Sequence, residues 1–187
     1  MIRITNKKSY KEFVEHERKI YGMKRPIIFR PAFSEKQLIW KYVSILRKCE
    51  LYENTNKKIR LVIFKYLKNK IRLKTGFSIK NNVCDIGLRI NHLGIIHLSA
   101  DRVGKNCTIA GTCYVIKSGF SDRNAIIGDN VFIGMNSIII GGITIGNNCL
   151  IGAGAIVTKD FAEDKLVIAG VPAKVLKKNI DWVNETK

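Results

Sequence analysis

Along the second half of the chain, aliphatic residues return at every sixth position: Val103, Ile109, Val115, then Ile127, Ile133, Ile139, Ile145, Ile151 and Val157. Of the ten positions in this phase, only 121, a serine, departs. Glycine often follows the aliphatic residue (Gly104, Gly128, Gly134, Gly146, Gly152). Four places after it stands a small or β-branched residue, as at Cys107, Cys113, Ala125, Val131, Ser137, Cys149 and Ala155. A helix repeats about every 3.6 residues and a strand about every 2, so neither alone produces this pattern. A parallel β-helix does, with one short strand and a corner per unit and about 18 residues per three-unit coil. Its aliphatic side chains stack inside, between coils about 4.8 Å apart. The polar segment KSGFSDRN at 117–124 interrupts the array and predicts a loop bulging from one coil, where function tends to sit.

The first half has a different period. Ser34-Glu-Lys-Gln37 has the form of a capping box, with Leu38, Tyr42, Ile45, Leu46 and Cys49 following on one helical face. A second helix is expected after a cap at Thr55 or Asn56, burying Ile59, Val62, Ile63, Tyr66, Leu67 and Ile71 and ending at Gly76. A weaker helix is predicted from Ser9 to about Ile20, with Pro26 and Pro31 breaking continuity. The expected fold is therefore mainly β: a parallel β-helix preceded by a small α-helical region. The expected division is a basic helical region at 1–78, the β-helix at 79–168 with its loop at 117–124, and a closing segment and tail at 169–187.

Charge sharpens that division. The chain has 187 residues and a formal net charge of +18. Residues 1–80 hold 22 Lys+Arg against 6 Asp+Glu, whereas residues 81–187 hold 11 against 9. The excess belongs to the helical front and is placed mainly opposite the apolar stripes. It reads either as a solvated basic face or as attraction to an anionic membrane surface or an acidic glycan. Stacking aromatics and nucleic-acid reader motifs are lacking, so nucleic acid is not expected as a partner. The five cysteines are odd in number, form no CxxC and follow no apolar leader, which fits a reducing cytoplasmic setting. Cys107, Cys113 and Cys149 fall on wall positions of the repeat. Residues 130–158 carry no charge, yet regularly placed glycine and asparagine argue against a membrane span.

The Ile-Gly-x-x-x-x array resembles the left-handed β-helix of the hexapeptide-repeat acyltransferases. The order of features is similar to serine acetyltransferases and their relatives that acetylate surface polysaccharides. Those features are the helical front, Ile90-Asn-His-Leu-Gly94, Ile127-Gly-Asp-Asn-Val-Phe-Ile-Gly134, Ile151-Gly-Ala-Gly-Ala-Ile-Val157 and Ala169-Gly-Val-Pro-Ala-Lys174. The resemblance implies a homotrimer that takes acetyl-CoA in a groove between neighbouring subunits and transfers the acetyl group to an acceptor hydroxyl.

It also implies roles for particular residues. His92 falls on the family's catalytic histidine, and an imidazole suits proton removal from a hydroxyl at neutral pH. Asn91 stands where serine acetyltransferases have an aspartate, and Arg123-Asn124 where they have arginine followed by a second histidine. These departures favour a surface-polysaccharide sugar as acceptor, with L-serine as the alternative and a non-catalytic repeat scaffold as a further one. Arg123 and Asn124 are expected to meet the acceptor, and His97 either orients substrate or is a wall residue. His92 and His97 are spaced like two zinc ligands, but no histidine lies between 17 and 91 to complete a set of three, so no metal is expected. Met135 (usually alanine in the family), Ala153, Ala169, Gly170, Pro172, Ala173 and Lys174 fall on positions that meet CoA, with Lys177 and Lys178 near its phosphates.

Overall fold

The computed structural model describes residues 2–24, 26–119, 122–180 and 182. Three helices come first: α1 (Lys7–Ile20), α2 (Glu35–Asn54) and α3 (Lys58–Thr75). Asn6 caps α1 through a capping box with Ser9, two residues before the expected start. At α2 the Ser34 side chain accepts from the Gln37 N–H, but the Gln37 side chain accepts from Phe33 rather than from Ser34. Lys57 occupies the N-cap of α3 with no side-chain cap, in place of the expected Thr55 or Asn56, and Gly76 ends that helix in the left-handed region.

The strands are short and are numbered in chain order. One sheet runs β1 (Phe77–Ile79), β3 (Ile96–Leu98), β6 (Cys113–Ile116), β9 (Ser137–Ile140), β12 (Ile156–Val157). A second holds β4 (Ala100–Val103), β7 (Ala125–Ile127) and β10 (Thr144–Ile145). The third runs β2 (Arg89–Ile90), β5 (Thr108–Ile109), β8 (Phe132–Ile133), β11 (Leu150–Ile151), β13 (Val167–Gly170), β14 (Ala173–Lys177). All pairs are parallel except β13 with β14. With helices of 14, 20 and 18 residues beside strands of two to five, the chain is a mixed α and β fold rather than mainly β.

The six-residue phase has a direct physical basis. Val103, Ile109, Val115, Ile127, Ile133, Ile139, Ile145, Ile151 and Val157 are all buried and stack coil over coil. Cys107, Cys113 and Cys149 are buried wall residues, and burial pushes the Cys113 thiol up to about 12. At one corner Asn106, Asn130 and Asn148 take positive φ and form a side-chain ladder, each amide donating to the next at 3.0 Å. Asparagine tolerates that backbone and supplies both donor and acceptor. Val115 and Ile139 are partners although 24 residues apart, whereas Ile139 and Val157 are separated by 18. The difference is one whole repeat, which is why the loop leaves the phase intact. Residues 120 and 121 of that loop lie outside the described residues, as do 181 and 183–187 of the expected tail.

The front closes the first coil. Arg47 is fully buried, pairs with Glu17 at 2.6 Å and Glu50 at 2.9 Å, and donates to the carbonyls of Cys84 and Asp85. Burial opposes its charge, but the two carboxylates outweigh that and hold the guanidinium well above its ordinary value. Tyr21 accepts from the Ile90 N–H, Tyr42 from Ile79 and Glu50 from Asn82. Helix side chains thus satisfy backbone groups that an open β-helix end would leave unpaired.

Part of α3 departs from expectation. Phe64 and Ile71 are buried and Leu67 half-buried, but Ile59, Val62, Ile63 and Tyr66 point to solvent. The helix carries two apolar stripes, and the inward one is Phe64, Leu67, Ile71 and Thr75.

Candidate active site

The site grows out of the corner that follows the third sheet. Pairing Ile90 with Ile109, Ile109 with Ile133, Ile133 with Ile151 and Ile151 with Ile168 fixes the register of five coils. Two residues further along each coil stand His92, Gly111, Met135, Ala153 and Gly170, which form one column. Its spacing requires small residues in places. A Cβ on Gly134 would lie 2.5 Å from the Ala153 nitrogen, and one on Gly111 would lie 3.0 Å from the Met135 methyl and 3.7 Å from the His92 Cβ. The Met135 side chain therefore lies across the Gly111 backbone, beside His92.

His92 is exposed, and its Nδ1 lies 3.6 Å from a carboxylate oxygen of Glu35, the first residue of α2. The same oxygen accepts the Leu93 N–H at 2.6 Å. The distance from Nδ1 exceeds a hydrogen bond but suits an ion pair once the imidazole is protonated, and catalytic contacts are often looser before substrate binds. The Nδ1 edge of the imidazole thus faces Glu35, at the start of the second helix of the front. Sequence reasoning missed Glu35. Its position 57 residues before His92 carries no local signal, and only the packing of α2 against the first coil brings them together.

Asn91, adjacent to His92, accepts from the Arg89 side chain at 2.9 Å and so faces along β2. The closing segment is a hairpin of β13 and β14, with Ala169 opposite Lys174 and Gly170 opposite Ala173 across the turn at Val171–Pro172. Ala173 is buried; Pro172 and Lys174 are exposed. Lys178 pairs with Glu163 at 2.7 Å.

The remaining residues lie elsewhere. His97 is on β3, exposed, between Ser78 and Tyr114 in register. Arg123 donates to the Gly142 carbonyl at 3.1 Å. Asn124 is held by Asp101 through its side chain at 2.7 Å and its backbone at 3.1 Å. These bonds hold the exposed Asp101 carboxyl below its ordinary value. His92 precedes the N-terminal ends of the first sheet's strands, whereas Arg123 and Asn124 lie beyond the C-terminal ends. Within one chain, the sheet separates them. No group of three or more His, Cys, Asp or Glu among the described residues is arranged to hold a metal ion.

Comparisons with known proteins bear on the family and the fold. Residues 124–159 match the family described as bacterial transferase hexapeptide (six repeats). The bifunctional protein GlmU of Acinetobacter baumannii is 36% identical over 101 residues, 54% of this chain and 22% of that protein. That of Saccharophagus degradans is 34% identical over 146 residues, 77% of this chain and 32% of the relative. The chain thus spans between about a fifth and a third of the length of these curated relatives. Among solved structures, Neisseria gonorrhoeae serine acetyltransferase in complex with serine is 27% identical with a TM-score of 0.66, covering 89% of this chain and 69% of that one. Serine acetyltransferase from Brucella abortus superposes with a TM-score of 0.72 at 20% identity, covering 93% and 71%. A serine acetyltransferase complex with CoA gives 0.66 at 19% identity, covering 91% and 71%. The last two show likeness of fold, helical front included. The repeat match and these folds imply that the coils wind left-handed.

Proposed function

We propose that this hexapeptide-repeat chain, which shares the serine acetyltransferase fold from its helical front to its last coil, is an acetyl-CoA-dependent O-acetyltransferase with His92 as its general base. The observation that carries the reading is the His92–Glu35 pair at the head of the column formed by Gly111, Met135, Ala153 and Gly170. His92 Nε2 takes the proton of the acceptor hydroxyl as its oxygen attacks the thioester carbon. The carbon–oxygen bond forms, the carbon–sulfur bond breaks, and His92 returns the proton to the departing CoA thiolate. Glu35 supplies the charge that Asn91 lacks and stabilises the imidazolium in between. The donor's pantetheine arm lies along the column, against main chain exposed by Ala153 and Gly170, and the β13–β14 hairpin closes over it. Lys174, beside the turn of that hairpin, meets the nucleotide phosphates.

The acceptor is L-serine on this reading. The complex with serine in the Neisseria gonorrhoeae structure, 27% identical and covering 89% of this chain, supports it. A surface-polysaccharide sugar remains the second reading, favoured by Asn91 and Asn124 in place of the family's acidic and imidazole groups. Arg123 and Asn124 reach the acceptor from a neighbouring copy in a homotrimer. Support comes from the sheet face between the two half-sites, where Tyr114, Ile116, Ile138, Ile140 and Ile156 point outward in register and are only half-buried in one chain. Following CoA-thiol release with L-serine, nucleotide-linked sugars and polysaccharide units tests the acceptor. Turnover on serine is expected, and turnover confined to the sugars would replace it with the second reading.

A further inference from the structure

The outward stripe of α3 is unexplained by acetyl transfer. Ile59 is 81% exposed, Val62 68%, Ile63 51%, Tyr66 66% and Leu73 76%. At about 100° per residue, positions 59, 62, 66 and 73 form a ridge opposite the buried stripe of Phe64, Ile71 and Thr75. The same rotation places Lys58, Lys65 and Arg72 along one flank of the ridge and Lys70 and Lys74 along the other. The helix holds seven cations and no carboxylate. Lys68 alone is turned inward, donating to the Ile79 carbonyl and to Asn81, and Lys65 makes a 3.5 Å contact with Glu53. Beside the Lys70 and Lys74 flank, the segment before α2 exposes Phe29 and Phe33, and the Phe29 ring stands 6.2 Å from that of Phe64.

We propose that this face is a docking surface for an anionic lipid bilayer, with α3 lying in the interface. The ridge enters the boundary between headgroups and acyl chains, the flanking cations meet lipid phosphates, and Tyr66 places an amphipathic ring at that depth. Charge selects the occupant. A second copy of α3 would set the five flanking cations against five more, whereas an anionic leaflet complements them. Among the described residues no helix is long and apolar enough to cross a membrane. It also reaches the candidate site: α3 ends at Gly76, whose carbonyl accepts from Ile96, and a Cβ there would lie 3.0 Å from the Gly94 carbonyl oxygen. The helix is thus seated against the turn that carries His92.

Flotation of the full chain with vesicles tests this. Vesicles of phosphatidylcholine containing about 30% phosphatidylglycerol are expected to carry the protein at low salt, and pure phosphatidylcholine vesicles much less. Raising salt from about 0.05 M to about 0.5 M is expected to weaken partitioning. Val62→Ser combined with Tyr66→Ser, both on the solvent side, is expected to lower partitioning about tenfold with unchanged circular dichroism and unchanged CoA binding. No partitioning of the wild-type chain onto anionic vesicles at low salt overturns the proposal. So does equal partitioning by the double variant, which leaves only nonspecific adhesion of basic side chains. A change in oligomeric state in the double variant without vesicle binding by the wild type assigns the ridge to a protein interface instead. None of these outcomes depends on whether the chain transfers acetyl groups.

Discussion

At the scale of single residues, one charge distinguishes the surroundings of His92. Asn91 removes the carboxylate expected beside His92, and Glu35 supplies one from the start of a distant helix, 3.6 Å from Nδ1. Glu35→Gln keeps an acceptor for the Leu93 N–H and deletes only the charge. It is expected to lower kcat about tenfold, a modest factor because both side chains are about half exposed, and to leave KM for acetyl-CoA unchanged. Steady-state kinetics check the split. His92 was legible in the sequence through its motif, but Glu35 was not, because contacts between distant segments leave no periodic trace. A second residue-scale expectation concerns Asp101, whose carboxyl is held low by its bonds to Asn124. A depressed acid stabilises the fold above its unfolded value and loses that contribution as pH falls through its folded value. The Asn124 anchor is therefore expected to hold at neutral pH and release only below the usual carboxylate range. The Asn124 side-chain amide resonances followed by NMR during acid titration check this, and release near neutrality would contradict it.

At the scale of elements, the coils are packed backbone to backbone. Gly134 has no room for a methyl group, since a Cβ would meet the Ala153 nitrogen at 2.5 Å and the Ile151 carbonyl oxygen at 2.6 Å. Gly134→Ala is expected to cost about 3 kcal/mol and to lower Tm by about 10 °C, as read by thermal denaturation. A Tm within a degree or so of the wild type would show that the column is looser than described. The strict period revealed the coils from Val103 to Val157 because each strand pairs with one a whole number of repeats away. The flanking coils were hidden: Ile79, Cys84, Ile90 and Leu98 fill the same inward positions at uneven spacing. In α3 the sequence displayed more apolar residues than one buried face can use, and the six-residue list of expected core positions merged two stripes. Which stripe faced inward depended on where α2 and the first coil lie, and no helical period encodes that.

At the scale of the whole molecule, charge and chemistry are kept on separate parts of the chain. The nearly neutral β-helix carries the proposed chemistry. The helical front closes its open end through Arg47, Tyr21, Tyr42 and Glu50 and places Glu35 beside His92. The +18 charge concentrates on the outer faces of that front, where α3 offers a surface for an anionic bilayer. Acetyl transfer at His92 is tested by CoA-thiol release from acetyl-CoA with L-serine, compared between the wild-type chain and His92→Ala. The wild type is expected to turn over and the variant to lose about 10² to 10⁴ of kcat while still binding CoA. Equal turnover by the two proteins would contradict the assignment of His92 as the base.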